Sequence, residues 1–369
     1  MAQRSKPPFR ADHVGSLLRP AALKEAREQR ARAKIDAEAL KAVEDREIER
    51  IIGKQEEVGL KSITDGEFRR SWWHLDFLWG LDGVERYAMD QGIAFSGVQT
   101  RAEGARVVGK IGFNIHHPFI RHFKFLQRNT SRTPKVTIPA PSALYGRTGR
   151  KAVPESVYPD LDNFFDDLGN AYRKAVSAFA EAGCRYLQLD EVFIAMLCDA
   201  KYTQGVRDRG DDPQRIGEVY GDLINAAMSD IPSDMTITMH LCRGNYKSTF
   251  MGSGGYEPVA EVLFNRIKVH GYFMEYDSDR AGGFEPLRLV PKDRQVVLGL
   301  VTTKSGTLES KDVIKRRIDE AAKFISLDQL CLSGQCGFAS TEEGNVLTEE
   351  AQWAKLRTIV EVAEEVWGR

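Results

Sequence analysis

The sequence predicts an α/β protein, a (β/α)8 or TIM barrel with a β-hairpin or irregular insertion after its second strand. Eight short apolar runs are separated, for the most part, by segments with helical spacing, which favours a barrel of parallel strands over an open sheet. The runs are centred near residues 14, 63, 137, 188, 238, 273, 298 and 331. Polar residues follow most of them, and barrels carry their active sites at the strand ends. We expect residues 1–369 to form one domain, with the insertion at about 71–134.

Composition narrows the class of protein before any motif is considered. The chain has 42% hydrophobic residues, 28% charged residues and a net charge of -1, values that give no bias toward nucleic acid or an anionic membrane. No apolar run approaches the roughly 20 residues that cross a bilayer. Five cysteines without framework spacing indicate reduced thiols. We therefore expect a cytoplasmic protein whose partners include neither nucleic acid nor a membrane.

The first third of the chain supplies two strands, a helical segment and the insertion. Residues 10–20 read as a strand or turn, and Pro20 suits the first turn of the following helix. Residues 21–53 are rich in Ala, Glu, Lys and Arg, which predicts one long helix or a broken pair. A second strand near Ile63 ends in a charged turn. The less regular residues 71–134 are expected to form an arm over the barrel mouth.

From residue 135 onward the pattern alternates between strands and helices. Helical spacing over residues 160–182 ends at Gly183, a typical residue just beyond a helix. Further helices are predicted over residues 213–228, 258–267, 309–324 and 349–366. Strands are predicted over residues 136–138, 186–189, 235–238, 270–275, 295–301 and 327–333, which completes the eight.

A metal site is the strongest functional signal in the sequence. His240 and Cys242 end a strand two residues apart, so their side chains share one face of it. An imidazole nitrogen and a thiolate there can bind one Zn²⁺ at roughly 2.0–2.3 Å. No second close pair of cysteines accompanies them, so the other ligands must come from distant segments. Glu275 and Cys336, each after another predicted strand, are the candidates.

Other polar residues also follow predicted strands and should converge on the same face of the barrel. The remaining cysteines are assigned to the core, because a buried cysteine is usually inert. The core cysteines are Cys184, Cys198 and Cys331. The converging polar residues are Ser16, Glu67, Asp190, Glu191 and Lys304.

Six motifs of the chain belong together. They are Ala11-Asp12-His13-Val14-Gly15-Ser16, Thr64-Asp65-Gly66-Glu67-Phe68, Leu189-Asp190-Glu191, His240-Leu241-Cys242, Gly299-Leu300-Val301 and Gln335-Cys336-Gly337. They occur in the order seen in the catalytic half of cobalamin-independent methionine synthase, and the chain most resembles the short, single-barrel relatives of that enzyme. The resemblance implies that His240, Cys242, Glu275 and Cys336 hold Zn²⁺ and that homocysteine receives a methyl group to become methionine. It further implies that Asp190 and Lys304 are catalytic and that Ser16, Glu67, Asp190 and Glu191 bind the amino-acid substrate.

The methyl donor and the partners stay open at this point. Lys304 stands where the full-length enzyme carries a proton-donating histidine, and lysine is a weak acid at pH 7. A donor of the 5-methyltetrahydrofolate type, a methyl-corrinoid protein, another methylated small molecule and an epoxide are all compatible with a zinc-activated thiol. A homodimer is also open.

Three other functions share parts of the pattern. Zinc thiol transferases similar to epoxyalkane:coenzyme M transferase share the metal motif, but a sulfonated thiol calls for cations, whereas the acids Glu67, Asp190 and Glu191 favour the ammonium group of homocysteine. The metal-free barrel of uroporphyrinogen decarboxylase leaves His240, Cys242 and Cys336 without a common purpose. A structural zinc barrel predicts a closed site with no room for a thiol.

Overall fold

Parallel strands in chain order form the central sheet of the protein, whose computed structural model describes residues 3–368. The strands are β1 Ser62–Ile63, β2 Leu81–Ala88, β3 Ala94–Phe95, β4 Val98–Gln99, β5 Glu103–Phe113, β6 Thr133–Pro134, β7 Val136–Pro139, β8 Tyr186–Glu191, β9 Thr236–Leu241, β10 Gly271–Glu275, β11 Gln295–Val301 and β12 Leu330–Gly334. Strands β7 to β12 pair with their neighbours in that order, all parallel. This is the strand order that the sequence predicts for the last six strands of a barrel.

Short segments extend the sheet at both ends toward each other. At one end β6, which directly precedes β7, pairs in parallel with β1. At the other end Asp12 N donates to Leu332 O at 3.0 Å, and Leu332 N donates to Arg10 O at 2.8 Å. Eight parallel segments therefore follow one another as predicted. The predicted first strand is reduced to one bridge, between Ala11 and Leu332.

Isolated hydrogen bonds join the first and second segments of the sheet. Leu17 N donates to Gly66 O at 3.1 Å, and Thr64 Oγ1 donates to Gly15 O at 2.7 Å. Inside the ring, the buried Asp12 accepts hydrogen bonds from Ser62, Tyr186 and the backbone of Phe9 and His13, and it pairs with Lys135. These residues lie at the starts of the strands, so this polar cluster fills the end of the barrel opposite the strand ends.

Helices cover the outside of the sheet. They are α1 Ala21–Ala31, α2 Ala37–Val58, α3 Leu75–Leu78, α4 Pro118–Asn129, α5 Leu161–Glu181, α6 Phe193–Met196, α7 Ala200–Asp208, α8 Pro213–Ala227, α9 Lys311–Ala321 and α10 Glu349–Trp367. The predicted broken pair at residues 21–53 corresponds to α1 and α2, and Asp36 caps α2 by accepting from Ala39 N. Strongly amphipathic α5 lies where the spacing predicts it, with Leu168, Tyr172 and Val176 buried.

The segment predicted to be helical over residues 258–267 is helical, but irregular. It begins as a 3-10 turn, Glu257–Val259, passes through two α-helical residues, and ends as a π-helical turn, Val262–Arg266. Asn225 of α8 donates to Arg266 O and accepts from Lys268 N, so its side chain takes up backbone groups that a longer helix would use.

The insertion contains the expected antiparallel hairpin and one element that was not expected there. Strands β2 and β5 pair antiparallel, as do β3 and β4. The arm is fastened over the barrel mouth, since Trp72 Nε1 donates to Glu103 at 2.7 Å and Arg101 pairs with Glu342 at 2.7 Å. Helix α4, which falls in the same stretch of sequence, lies against α2 and α5 as a barrel helix.

Candidate metal centre and adjoining cavity

Four potential metal ligands meet at the carboxyl ends of three strands of the central sheet, β9, β10 and β12. His240 lies in β9 and Cys242 directly follows it, Glu275 ends β10, and Cys336 follows β12. Their ligand atoms all lie within 4.8 Å of one another, and all four residues are buried. The structure thus brings together the four residues that the sequence singles out as metal ligands.

Strand register and one glycine explain how distant segments reach this point. Residues His240 and Phe273 are partners in the ladder of β9 and β10, which sets Glu275 level with Cys242. Glu275 is paired across the next ladder with Gly299. A Cβ atom at Gly299 would lie 2.7 Å from the Cα of Gln335, so only glycine lets the Cys336 loop come this close.

The donor set fits a zinc ion. Ligands about 2.3 Å from a tetrahedral zinc lie about 3.8 Å apart, and the Sγ atoms of Cys242 and Cys336 are 3.7 Å apart. Both ring nitrogens of His240 are buried without a hydrogen-bond partner in the described part of the chain. An unsatisfied buried imidazole is costly, and coordination of a cation would satisfy it.

Without a metal, the two thiols and the imidazole perturb one another. A hydrogen bond from Cys242 lowers the pKa of Cys336 well below its ordinary value, and the same contact raises the pKa of Cys242. Burial alone would lower the pKa of His240, but the neighbouring Cys336 thiolate raises it to about 9. Without a metal, the Cys336 thiolate and the protonated His240 therefore stabilise each other, and a bound cation would take the place of the proton.

Glu275 differs from the other three because it has its own cationic partner. One carboxylate oxygen accepts from the backbone nitrogen of Arg243 at 3.2 Å, and the other accepts from Arg280 at 2.8 Å. Arg280 also pairs with Asp277 at 3.0 Å, and Asp277 pairs with Lys304 at 3.4 Å. Lys304 is therefore held beside the metal ligands, but it is absent from the lining of the adjoining cavity.

A cavity opens beside His240, Cys242 and Cys336, and the insertion arm forms part of its wall. Three of the residues predicted to bind substrate line it, namely Ser16, Glu67 and Asp190. Burial raises the pKa of Glu67, and it raises that of Asp190 to about 7. Acidic side chains held beside the potential ligands can receive the ammonium group of a small amino acid.

The backbone at Ser16 and Glu67 is tightly constrained. Gly66 and Glu67 both adopt left-handed backbone conformations, with φ of 64° and 59°, and Asp65 accepts from Glu67 N at 2.8 Å. A Cβ atom at Gly337 would lie 2.0 Å from Ser16 Oγ. The Ser16 hydroxyl thus lies directly against the loop that carries Cys336.

Glu191, the fourth residue predicted to bind substrate, points away from this cavity. It follows Asp190 in β8, and successive side chains of a strand face opposite sides. Its carboxylate accepts from Ser142 and from the backbone nitrogens of Phe193 and Ile194, at the start of α6. Glu191 holds this helix in place instead of lining the cavity.

The remaining wall of the cavity was not predicted. Aromatic side chains from the arm and from the loop after β9 form much of it, and the rings of Phe95 and Tyr246 lie 5.3 Å apart. Arg147 also lines the cavity, yet its guanidinium forms no hydrogen bond or ion pair within residues 3–368. The adjacent tryptophans Trp72 and Trp73 line the cavity from the expected arm, whereas no local pattern of the sequence marks Arg147.

Comparisons with known proteins agree on one family. Residues 9–365 match the family model for the catalytic domain of cobalamin-independent synthase. The uncharacterized protein YxjH of Bacillus subtilis is 52% identical over 367 residues, which cover 99% of this chain and 96% of that protein.

Two solved structures share the fold. The candidate vitamin-B12 independent methionine synthase of Listeria monocytogenes is similar with a TM-score of 0.79 and 41% identity, covering 99% of this chain and 100% of that one. A B12-independent methionine synthase from Shewanella sp. W3-18-1, in complex with selenomethionine, has a TM-score of 0.69 and 19% identity, covering 97% of each chain. The predicted α/β barrel-type fold and the family resemblance of the motifs are both confirmed.

Proposed function

We propose, from the premise that this chain belongs to the family of the cobalamin-independent synthase catalytic domain, that it is a zinc-dependent methyltransferase. In this proposal it transfers a methyl group to the thiol of homocysteine and forms methionine. The observation that carries the proposal is the cluster of His240, Cys242, Glu275 and Cys336 beside a cavity lined by acidic side chains.

The substrate roles follow from charge and position. We propose that Glu67 and Asp190 bind the ammonium group of homocysteine and that Ser16 donates a hydrogen bond to the amino-acid part. The free guanidinium of Arg147 is suited to a carboxylate, since hydrogen bonds between charged groups are the strong ones. Glu191 contributes to the site only indirectly, because its carboxylate holds the start of α6 in place.

The chemistry requires a thiolate at neutral pH. A free thiol with a pKa near 8.5 is only a few per cent ionised there. Bound zinc supplies the Lewis acidity that holds a thiol deprotonated. The chain's own contribution is to hold the ammonium group on Glu67 and Asp190, so that the sulfur stays in place, and to shield it from water with the arm. Asp190 is proposed as a catalytic residue because it contacts the substrate and orients its sulfur.

The methyl donor is proposed to be of the 5-methyltetrahydrofolate type or a methyl-corrinoid protein. A direct assay separates them: zinc-loaded protein is given homocysteine and either donor, with methylcobalamin as the corrinoid probe, and methionine is measured by mass spectrometry. We expect methionine with one donor, and loss of it in Glu67→Gln. The matched control is Glu85→Gln, which changes a half-buried glutamate of the arm that pairs with Arg106. No methionine with either donor would contradict the proposal.

One observation favours the second candidate, a thiol alkyltransferase of the epoxyalkane:coenzyme M transferase type. Arg147 is a free cation in the cavity, and a sulfonate needs such a partner. The acids Glu67 and Asp190 have no role with that substrate. Formation of an alkylated coenzyme M from an epoxide, in the absence of any methionine formation, would select this candidate.

We also propose one domain over residues 1–369 and a cytoplasmic location. All five cysteines are free, as a reducing compartment requires. No helix among residues 3–368 is long and apolar enough to cross a membrane. A homodimer is retained as a proposal, to be tested by the mass of the protein in solution.

A further inference from the structure

Glu275 is the one member of the ligand cluster whose charge is already engaged by a cation. The ring nitrogens of His240 have no partner in the described chain, and the two cysteine sulfurs face each other. The carboxylate of Glu275, in contrast, is fully buried and receives Arg280 Nη2 at 2.8 Å. A carboxylate that shares its electrons with a guanidinium is a weaker donor to a metal.

We infer that Arg280 is a positioning residue of the metal centre, one that keeps Glu275 a replaceable ligand. Arg280 holds one oxygen of the Glu275 carboxylate. It would receive the whole carboxylate if the substrate sulfur took the place of Glu275 at the metal. The inference rests on the proposed function, because it needs a thiol that enters the cluster.

The surroundings hold Arg280 firmly enough for this task. Its guanidinium lies over the ring of Phe250 at 4.5 Å, and Asp277 accepts from it at 3.0 Å. Its backbone oxygen accepts from Gly254 N at 2.8 Å, in a short 3-10 helix, Asp279–Ala281. The side chain is only 9% exposed, so solvent does little to screen its charge.

The charges around Arg280 make release of the carboxylate feasible. Two carboxylates, Glu275 and Asp277, face the cations Arg280 and Lys304, and the buried Arg243 also acts on Glu275. A free carboxylate buried without a partner is costly. Because the ion pair with Arg280 exists already, Glu275 can leave the metal without becoming an isolated charge.

This network also gives Lys304 a role without contact to the methyl donor. Its ammonium group pairs with Asp277 at 3.4 Å. The Lys304 side chain is 12% exposed and does not line the cavity. Lys304 neutralises Asp277, which in turn holds Arg280 in place. We therefore place Lys304 at the outer end of a chain of charges that ends on Glu275.

The test compares Arg280→Met with the wild-type protein and with Arg288→Met. Methionine keeps the length of the side chain and its packing on Phe250, but removes the charge. Arg288 is a matched control because it pairs with Glu257 at the surface, where the two side chains are 48% and 55% exposed. Two quantities are measured on zinc-loaded protein: the rate of zinc transfer to a colorimetric chelator, and the Kd of homocysteine.

Removing an outer partner that supports a ligand typically costs about 10- to 100-fold in metal affinity. Arg280 instead competes with the metal for Glu275, so Arg280→Met should release zinc more slowly, by about tenfold on the same scale. It should bind homocysteine about tenfold more weakly, because Glu275 then resists replacement. Arg280→Lys should recover part of both effects, and Arg288→Met should match wild type. A merely structural role predicts the opposite sign, with faster release of zinc.

Unchanged or faster zinc release in Arg280→Met would overturn the inference. If Arg280→Met does not fold, Arg280→Gln decides, because it removes the charge and keeps a hydrogen-bond donor. Zinc release as fast as in wild type then overturns the inference, and slower release supports it. If wild-type protein binds zinc but not homocysteine, the proposed function fails, and the zinc-release rates alone then show whether Arg280 weakens Glu275 as a ligand.

Discussion

The sulfur atoms of Cys242 and Cys336 lie 3.7 Å apart, although 94 residues separate them in the chain. This distance is too long for a disulfide bond, whose sulfurs lie about 2.0 Å apart. It matches two thiolates that share one tetrahedral ion. Because both side chains are buried, each sulfur has few other partners, and the pair is arranged for a cation rather than for oxidation.

The first prediction concerns Cys336. Cys336→Ala should abolish stoichiometric zinc binding while the barrel remains folded, because three donors remain and one of them, Glu275, is shared with Arg280. Metal analysis after dialysis measures the bound zinc, and circular dichroism shows whether the barrel is folded. Cys184→Ala is the control, since Cys184 is a fully buried core cysteine that is not in the ligand cluster. A full equivalent of zinc in Cys336→Ala would remove this residue from the site.

The second prediction uses the close contact between Gly337 and Ser16. A methyl group at residue 337 would press on the Ser16 hydroxyl, and overpacking of this kind costs about 1–3 kcal/mol. Gly337→Ala should weaken homocysteine binding by about 5- to 100-fold and keep zinc. The Kd measured by calorimetry checks it, and Ser16→Ala alone, which removes the proposed hydrogen bond, should also weaken binding. Unchanged affinity in Gly337→Ala would show that Ser16 plays no part in substrate binding.

The third prediction concerns the free cation of the cavity. Arg147→Met should weaken homocysteine binding by about 10- to 100-fold, because a charged hydrogen bond contributes about 1.5–3 kcal/mol. The Kd is measured for homocysteine and for its decarboxylated analogue, 3-aminopropane-1-thiol. Comparison of the two isolates the contribution of the carboxylate to binding. Arg207→Met, at an exposed position of α7, is the control. Equal losses for both ligands would contradict a carboxylate partner.

The fourth prediction concerns the pH dependence of stability. Burial, with Lys135 nearby, lowers the pKa of His13 from 6.5 to about 4, so the folded protein holds this ring neutral. Between pH 4 and pH 6.5, His13 is protonated in the unfolded chain but not in the folded protein. The folded protein therefore loses stability as the pH falls from 6.5 toward 4. In His13→Gln, which can still donate to Ser62 O, the slope of unfolding free energy against pH should drop by about 1.4 kcal/mol per pH unit.

Denaturant unfolding at several pH values between 4 and 6.5 measures that slope. His116→Gln, at an exposed position, should leave the slope as in wild type. An equal slope in His13→Gln and wild type would mean that His13 is protonated in the folded protein as well.

Much of the site could be predicted because strand geometry is local. Alternation of side chains places His240 and Cys242 on one face from spacing alone, and the end of a strand locates Glu275. The same rule, applied to Asp190 and Glu191, shows that only one of two neighbours can face the cavity. Treating both as substrate ligands overlooked that alternation.

What could not be predicted depends on partners far away in the chain. Arg280 is five residues from Glu275, but its orientation depends on Phe250 and Asp277 in the folded protein. Arg147 belongs to a short stretch of 3-10 structure and turns without periodicity, so only the fold reveals that it lines the cavity.

Zinc-edge X-ray absorption of the wild-type protein, with and without homocysteine, tests the central claim most directly. The account predicts one zinc per chain with two sulfur ligands and with nitrogen and oxygen ligands, and a third sulfur in place of an oxygen when homocysteine is added. A protein without zinc, or a spectrum that homocysteine leaves unchanged, would contradict it.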